Sequence, residues 1–172
     1  GLDDVFELET ELDGTSQGAG MSALAWDPAA QAVKVEKSVE PEFSQGNLKA
    51  TKVAGDLRIP AGLMRHLVPV EPEELKAWAN GCLARERWGY LRGRTSITGT
   101  GKVRLLDTLS LGGIGKRFNG KTLVSGIRHR VDESGWRTDL QFGLLDRSVE
   151  EESGVLAPPA GGAIPAIRGI QI

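Results

Sequence analysis

Alternation of apolar and polar positions dominates the chain, and it is cleanest between Asp107 and Leu144. There Leu123, Ser125, Ile127, His129 and Val131 share one face of a run whose other face carries Val124, Gly126, Arg128 and Arg130. A second run sets Trp136, Thr138, Leu140 and Phe142 against Arg137, Asp139 and Gln141. A period of two is the mark of a strand, because successive side chains leave a pleated backbone on opposite sides. Asp132-Glu133-Ser134-Gly135 joins the two runs, so the spacing predicts an antiparallel hairpin.

The same period predicts strands over Val5–Leu12, Met21–Trp26, Gln31–Val39, Tyr90–Thr98 and Asp107–Leu111. In the first, Phe6, Leu8, Thr10 and Leu12 oppose the acidic row Glu7, Glu9, Glu11. The second and third pair around a tight turn at Asp27–Ala30, where Pro28 fixes φ and Asp27 bonds back to nearby amides. The period changes to 3.6 over Glu71–Trp88: Leu75, Trp78, Ala79, Cys82 and Leu83 form one apolar stripe. Pro72 and Glu71, Glu73 and Glu74 suit the start of that helix, and Arg85 and Arg87 suit its C-terminal half. Glu40–Pro69 reads as a long irregular excursion with at most a short helical turn near Gly62–Leu67; loops of that length usually serve binding or assembly. After Leu144 the chain is acidic from Asp146 to Gly154 and Pro/Gly/Ala-rich from Val155 to Pro165, which predicts a linker over 146–164. Residues 165–172 read as one further strand, cut off from its partners, so the chain reads as an excised piece of a longer protein.

One motif invites an enzymatic reading. Gly115-Lys116-Arg117-Phe118-Asn119-Gly120-Lys121-Thr122 fits the nucleotide-binding pattern G-x-x-x-x-G-K-[ST]. Such a loop holds phosphate only where a helix begins at once and turns its N-terminus to the anion. Here Thr122 opens a β-patterned run, Arg117 and Phe118 put bulk where a ligand must come close, and no apolar run ending in a magnesium-binding Asp follows. A glycine-rich hairpin loop is the reading the context favours. Glu7, Glu9 and Glu11 could supply paired carboxylates, but such rows on an exposed strand face are ordinarily solvated.

Composition narrows the classes further. A chain of 172 residues is one domain, or one domain plus appendages. Twenty-one Lys and Arg against 23 Asp and Glu give 21 − 23 = −2, which argues against a general nucleic-acid binder. Cys82 is the sole cysteine, so no internal disulfide can form, and it reads as a small core residue rather than a nucleophile. His66 and His129 lie 63 positions apart, without the spacing of a zinc site. No metal, cofactor or catalytic group is expected, no apolar run is long enough to span a bilayer, and no signal peptide is visible. A glycan- or peptide-binding β module would need an aromatic platform, and the chain holds only four Trp, four Phe and one Tyr.

The order of several short motifs resembles a known family. Arg92-Gly93-Arg94 after the helix is followed by Leu111-Gly112-Gly113, Arg117-Phe118-Asn119-Gly120 and Val124-Ser125-Gly126-Ile127-Arg128-His129. Gly135-Trp136-Arg137-Thr138 and Gly143 complete that half. Upstream stand Ala25-Trp26-Asp27-Pro28 with Gln31, Gly46-Asn47-Leu48, and Glu74-Leu75-Lys76-Ala77-Trp78-Ala79. The series is similar to the hub region of VgrG, the Rhs-element Vgr proteins of type VI secretion, which are related to contractile-phage tail hubs and late control D proteins. Ile164–Ile172 resembles the entry to the OB-fold at the spike base. The departure is Lys121-Thr122-Leu123, where the family usually has an aromatic pair.

The resemblance implies a β-rich α+β fold, with residues 1–145 forming a curved antiparallel sheet as a split β-barrel of phage-tail-hub type and one packing helix. It implies Trp26, Asp27, Pro28, Phe118, Gly120, Val124, His129, Trp136 and Thr138 as family-motif positions, with no catalytic group. It also implies a homotrimer in the full-length protein, set on a hexameric tube and joined by spike and baseplate proteins and effectors. Such a protein assembles in the cytoplasm and leaves the cell on firing.

Overall fold

The computed structural model of the chain describes residues 4–66 and 68–144. The expected linker over 146–164 and the expected strand over 165–172 lie outside the described residues. Along the chain run β1 (Val5–Leu12), β2 (Met21–Asp27), β3 (Ala32–Lys37), α1 (Ala50–Leu57) and β4 (Gly62–His66). They are followed by α2 (Pro72–Gly89), β5 (Leu91–Thr98), β6 (Thr108–Leu111), β7 (Gly120–Asp132) and β8 (Gly135–Phe142). A five-stranded antiparallel sheet in the order β1-β5-β8-β7-β6 curls into a half-barrel. A smaller three-stranded sheet, β3-β2-β4, stands beside it. The β-rich fold class with a curved antiparallel sheet is therefore the observed one.

The smaller sheet and α2 share a core. Met21, Ala23 and Ala25 on one face of β2 meet Leu75, Ala79 and Leu83 of α2, all buried, with Met64, Val70 and Cys82 packed against them. Alanines on the strand let the helix backbone come close, and an apolar stripe on each partner must be covered. Trp78, expected in that stripe, is instead 37% exposed, its ring meeting the His66 ring edge-on at 5.0 Å. The other four expected stripe residues pack in this core, and Trp78 alone stands at its edge.

Glu40–Pro69 is irregular only in part, over residues 40–49 and the short connections. It holds α1, whose Ala50 and Ala54 are buried, and Gly62–His66 is a strand rather than a helical turn, parallel to β2 with Met21 opposite Gly62 and Ala25 opposite His66. Its half-buried Gly62, Met64 and His66 alternate with exposed Leu63 and Arg65, so a period of two was present in five residues too short to stand out.

Alternation in β7 is interrupted. Val124 pairs with Phe142 and Ile127 with Leu140, and a bulge lies between Val124 and Gly126. The extra residue moves Val124 onto the buried face with Ile127, against the expectation that it shares a face with Arg128. Val124 and Phe142 are both 0% exposed.

Candidate interaction surface

The hydrophilic face of the large sheet is a ladder of opposite charges. Register places Glu9 opposite Arg94 and Glu11 opposite Arg92, and the pairs close at 2.8 Å each. Arg92 also reaches Asp13 at 3.4 Å. Further along, Asp139 receives Arg128 at 3.1 Å and Arg130 at 2.9 Å. A shallow groove of about 660 Å³ runs between these rows. The hydrogen bond from Arg92 holds the Glu11 carboxyl below the usual carboxylate range, and that from Arg130 does the same for Asp139. A general acid needs the reverse, a carboxyl raised towards neutral pH. The ladder joins opposite charges across paired strands, and the shifts at Glu11 and Asp139 run against that role.

The nucleotide-motif segment does not build a phosphate cradle. Thr122 lies inside β7, is fully buried, and donates its hydroxyl hydrogen bond to Gln45 Oε1 at 2.8 Å. Gln45 in turn donates to the Trp88 carbonyl at 2.7 Å. Gly120 has φ +136°, and a Cβ there would stand 2.3 Å from the Gly46 carbonyl carbon. That glycine exists to let two backbones touch, and Gly46 N–H donates to Lys121 O at 2.7 Å beside it. The motif glycine and threonine are thus spent on packing the 40s segment against β7. Phe118 sits half-buried in the preceding turn, where its N–H donates to the Gly115 carbonyl at 3.1 Å.

The remaining motif positions fall in two places. Asp27 accepts from the N–H groups of Ala29 at 2.9 Å and Ala30 at 3.2 Å, and pairs with Lys34 at 3.0 Å. Together with exposed Pro28 it shapes the β2–β3 turn and leaves Trp26 51% exposed. His129, Trp136 and Thr138 come together near the tip of the β7–β8 hairpin. His129 Nδ1 lies 3.0 Å from Thr138 Oγ1 and its ring 5.9 Å from that of Trp136. Thr138 is buried and its hydroxyl accepts from the Thr100 N–H at 3.0 Å. A Cβ on Gly99 would stand 2.2 Å from the Trp136 ring, so that ring lies flat on the glycine. These contacts lock a hairpin tip; Val124 belongs to the core and joins neither group.

Buried polar groups were missed by sequence reasoning. Arg87 is 3% exposed, and its guanidinium donates to Glu40, to Gln17 Oε1 at 3.2 Å and to the Gly18 carbonyl at 3.0 Å. It stands four residues beyond Leu83, on the continuation of the buried stripe, and that position was the available signal.

The outward face of the small sheet carries an apolar group, flanked by exposed Lys37 and Arg65, that is uncovered among the described residues. Trp26 lies opposite Val33 and Leu24 opposite Val35, while Leu63 of β4 lies opposite Ser22. Trp26, Val33, Val35 and Leu63 are each more than half exposed. β3 and β4 are the outer strands of that sheet, so they also present unpaired backbone edges, the ordinary means of adding a neighbour's strand.

The profile of the Alg8 N-terminal domain matches residues 3–133. The chain belongs to the Alg8 N-terminal domain family. No curated protein matches it. Among solved structures, this Alg8 N-terminal domain chain is similar to the 43 kDa tail protein of prophage MuSo2 from Shewanella oneidensis. That likeness has a TM-score of 0.50 and 12% identity, covering 82% of this chain and 39% of the other. A tail protein from Neisseria meningitidis MC58 gives a TM-score of 0.51 and 14% identity, covering 82% and 40%. The likeness is one of fold, and the chain spans about two fifths of the length of either protein. The fold is phage-tail-like.

Proposed function

We propose that the chain is a structural assembly module of a phage-tail-like injection machine, in the hub or spike-base position that VgrG occupies, working by shape and interface rather than by catalysis. The likeness of fold to two tail proteins over 82% of the chain is the observation that supports it most. The site geometry agrees: carboxylates are tied into ion pairs, and the nucleotide-type motif packs two backbones together. On this reading a second copy of the chain covers the apolar face formed by Trp26, Val33, Val35 and Leu63. The full-length protein is a homotrimer seated on a hexameric tube, with spike and baseplate proteins and effectors attached beyond it. It assembles in the cytoplasm and is expelled on firing. Mass measurement of the full-length protein in solution tests this: a trimer is expected, and a monomer at every accessible concentration would refute it.

A further inference from the structure

We propose that residues 38–47 are a clasp that fixes the angle between the two sheets, with the buried Gln45 amide as its lock. Among the described residues, no strand of one sheet pairs with a strand of the other. The buried core of the small sheet and α2 is likewise built without the large sheet. The chain passes directly from α2 into β5 at Gly89–Leu91, which makes a joint between the two bodies. Bodies joined through a few residues at element ends turn about them unless other contacts hold them.

The clasp is fastened on both sides. At its first end Ser38 N–H donates to the Met21 carbonyl of β2 at 2.8 Å, and Met21 N–H donates to Ser38 Oγ at 2.9 Å. Val39 N–H donates to Asn80 Oδ1 of α2 at 2.7 Å, and Glu40 accepts from Arg87 of the same helix. At the other end Gly46 N–H donates to Lys121 O of β7 at 2.7 Å, and Asn47 Nδ2 donates to Lys116 O at 2.9 Å. Between the two ends sits Gln45, which donates to Trp88 O of α2 and accepts from the Thr122 hydroxyl of β7. Both Gln45 and Thr122 are buried. One amide thus bridges the helix of the small-sheet body and a strand of the large sheet.

Burial is what makes this bridge a lock. Withdrawing Gln45 deprives its own amide and the Thr122 hydroxyl of partners, a penalty felt only when the clasp opens. Shape adds to it. Gly46 lies between β7 and the start of β5: a Cβ on Gly120 would stand 2.3 Å from its carbonyl carbon, and one on Gly46 would stand 3.6 Å from Leu91 Cδ2. The apolar group around Trp26 on the small sheet is therefore held at one orientation to the groove of the large sheet. The clasp is complete within one chain, so it does not depend on the assembly reading.

Distance measurement by pulsed electron resonance on the 172-residue chain tests this. In a Cys82→Ser or Cys82→Ala background, nitroxides are placed at Val33→Cys on β3 and Val131→Cys on β7, both more than half exposed. Glu7→Cys with Val131→Cys is the control, because both lie in the large sheet. The parent is expected to show one narrow distance for each pair. Gln45→Ala, and Thr122→Val as the milder change, are expected to populate a second inter-sheet distance on the order of tenfold more than the parent does. The control pair stays narrow in both. An inter-sheet distance as sharp in the variants as in the parent would overturn the proposal. So would a parent that already shows two distances, or a control pair that broadens equally, since the fold would then loosen as a whole.

Discussion

Arg87 Nε lies 2.6 Å from Glu40 Oε1, yet the two ends of this pair live in different surroundings: the arginine side chain is 3% exposed and the glutamate 44%. The buried guanidinium also serves Gln17 and the Gly18 carbonyl, so it ties the β1–β2 connection and the 40s segment to the end of α2. Removing Arg87 strands the Gln17 and Gly18 acceptors, while neutralising Glu40 leaves the buried guanidinium an amide oxygen in place of its counter-charge. Arg87→Ala is expected to cost about 3 kcal/mol, and Glu40→Gln about 2 kcal/mol. Urea denaturation of the two variants checks the order, and an equal loss would mean that the pair stands by itself.

Thr122→Val keeps the shape of β7 and removes the donor to Gln45. A loss of about 1–3 kcal/mol is expected from the stranded amide oxygen. Lys121→Ala, in contrast, leaves both stability and response to ATP as they were. Calorimetry showing ATP binding that Lys121→Ala abolishes would restore the nucleotide reading.

Gly120→Ala must displace backbone rather than a pliable side chain, since the new methyl meets Gly46 at 2.3 Å with φ at +136°. A loss of more than about 2 kcal/mol is expected. Gly99→Ala meets the Trp136 ring, which is 47% exposed and can swing outward, so its cost is smaller and its signature is a change in tryptophan fluorescence.

These two glycines show where the sequence could be read and where it could not. Alternating runs betrayed β1, β2, β3, β5, β6 and the β7–β8 hairpin, and an apolar stripe betrayed α2. α1 escaped because its apolar positions, Ala50, Val53, Ala54 and Leu57, span just eight residues with Lys, Thr, Gly and Asp between them. β4 escaped because its pairing is parallel and distant, with Leu24 opposite Arg65. The bulge in β7 leaves no periodic trace before the partner strand is known. At the surface, Asp27 announced its turn, but the convergence of His129, Trp136, Thr138 and Gly99 needed the register of β8.

Acid should loosen the charge ladder. Arg130 and Arg128 hold Asp139 below its ordinary value in the folded chain. The stabilisation is therefore present above the unfolded carboxylate value of about 3.9 and is lost as pH falls through the lower folded one. Asp27, held down by Lys34, behaves alike. Asp139→Asn is expected to be less stable at pH 6 and to lose less between pH 4 and pH 2, measured by thermal unfolding across that range. Parallel curves for variant and parent would remove Asp139 from the account.

Light scattering coupled to size exclusion, run on the full-length protein and on its Trp26→Asp, Val33→Asp variant, bears most directly on the claim that this module works by joining copies of itself. Three chains per particle for the parent, and fewer for the variant with unchanged circular dichroism, are the expected result. A parent protein of one-chain mass at every concentration, or a variant whose assembly is untouched, would contradict the account.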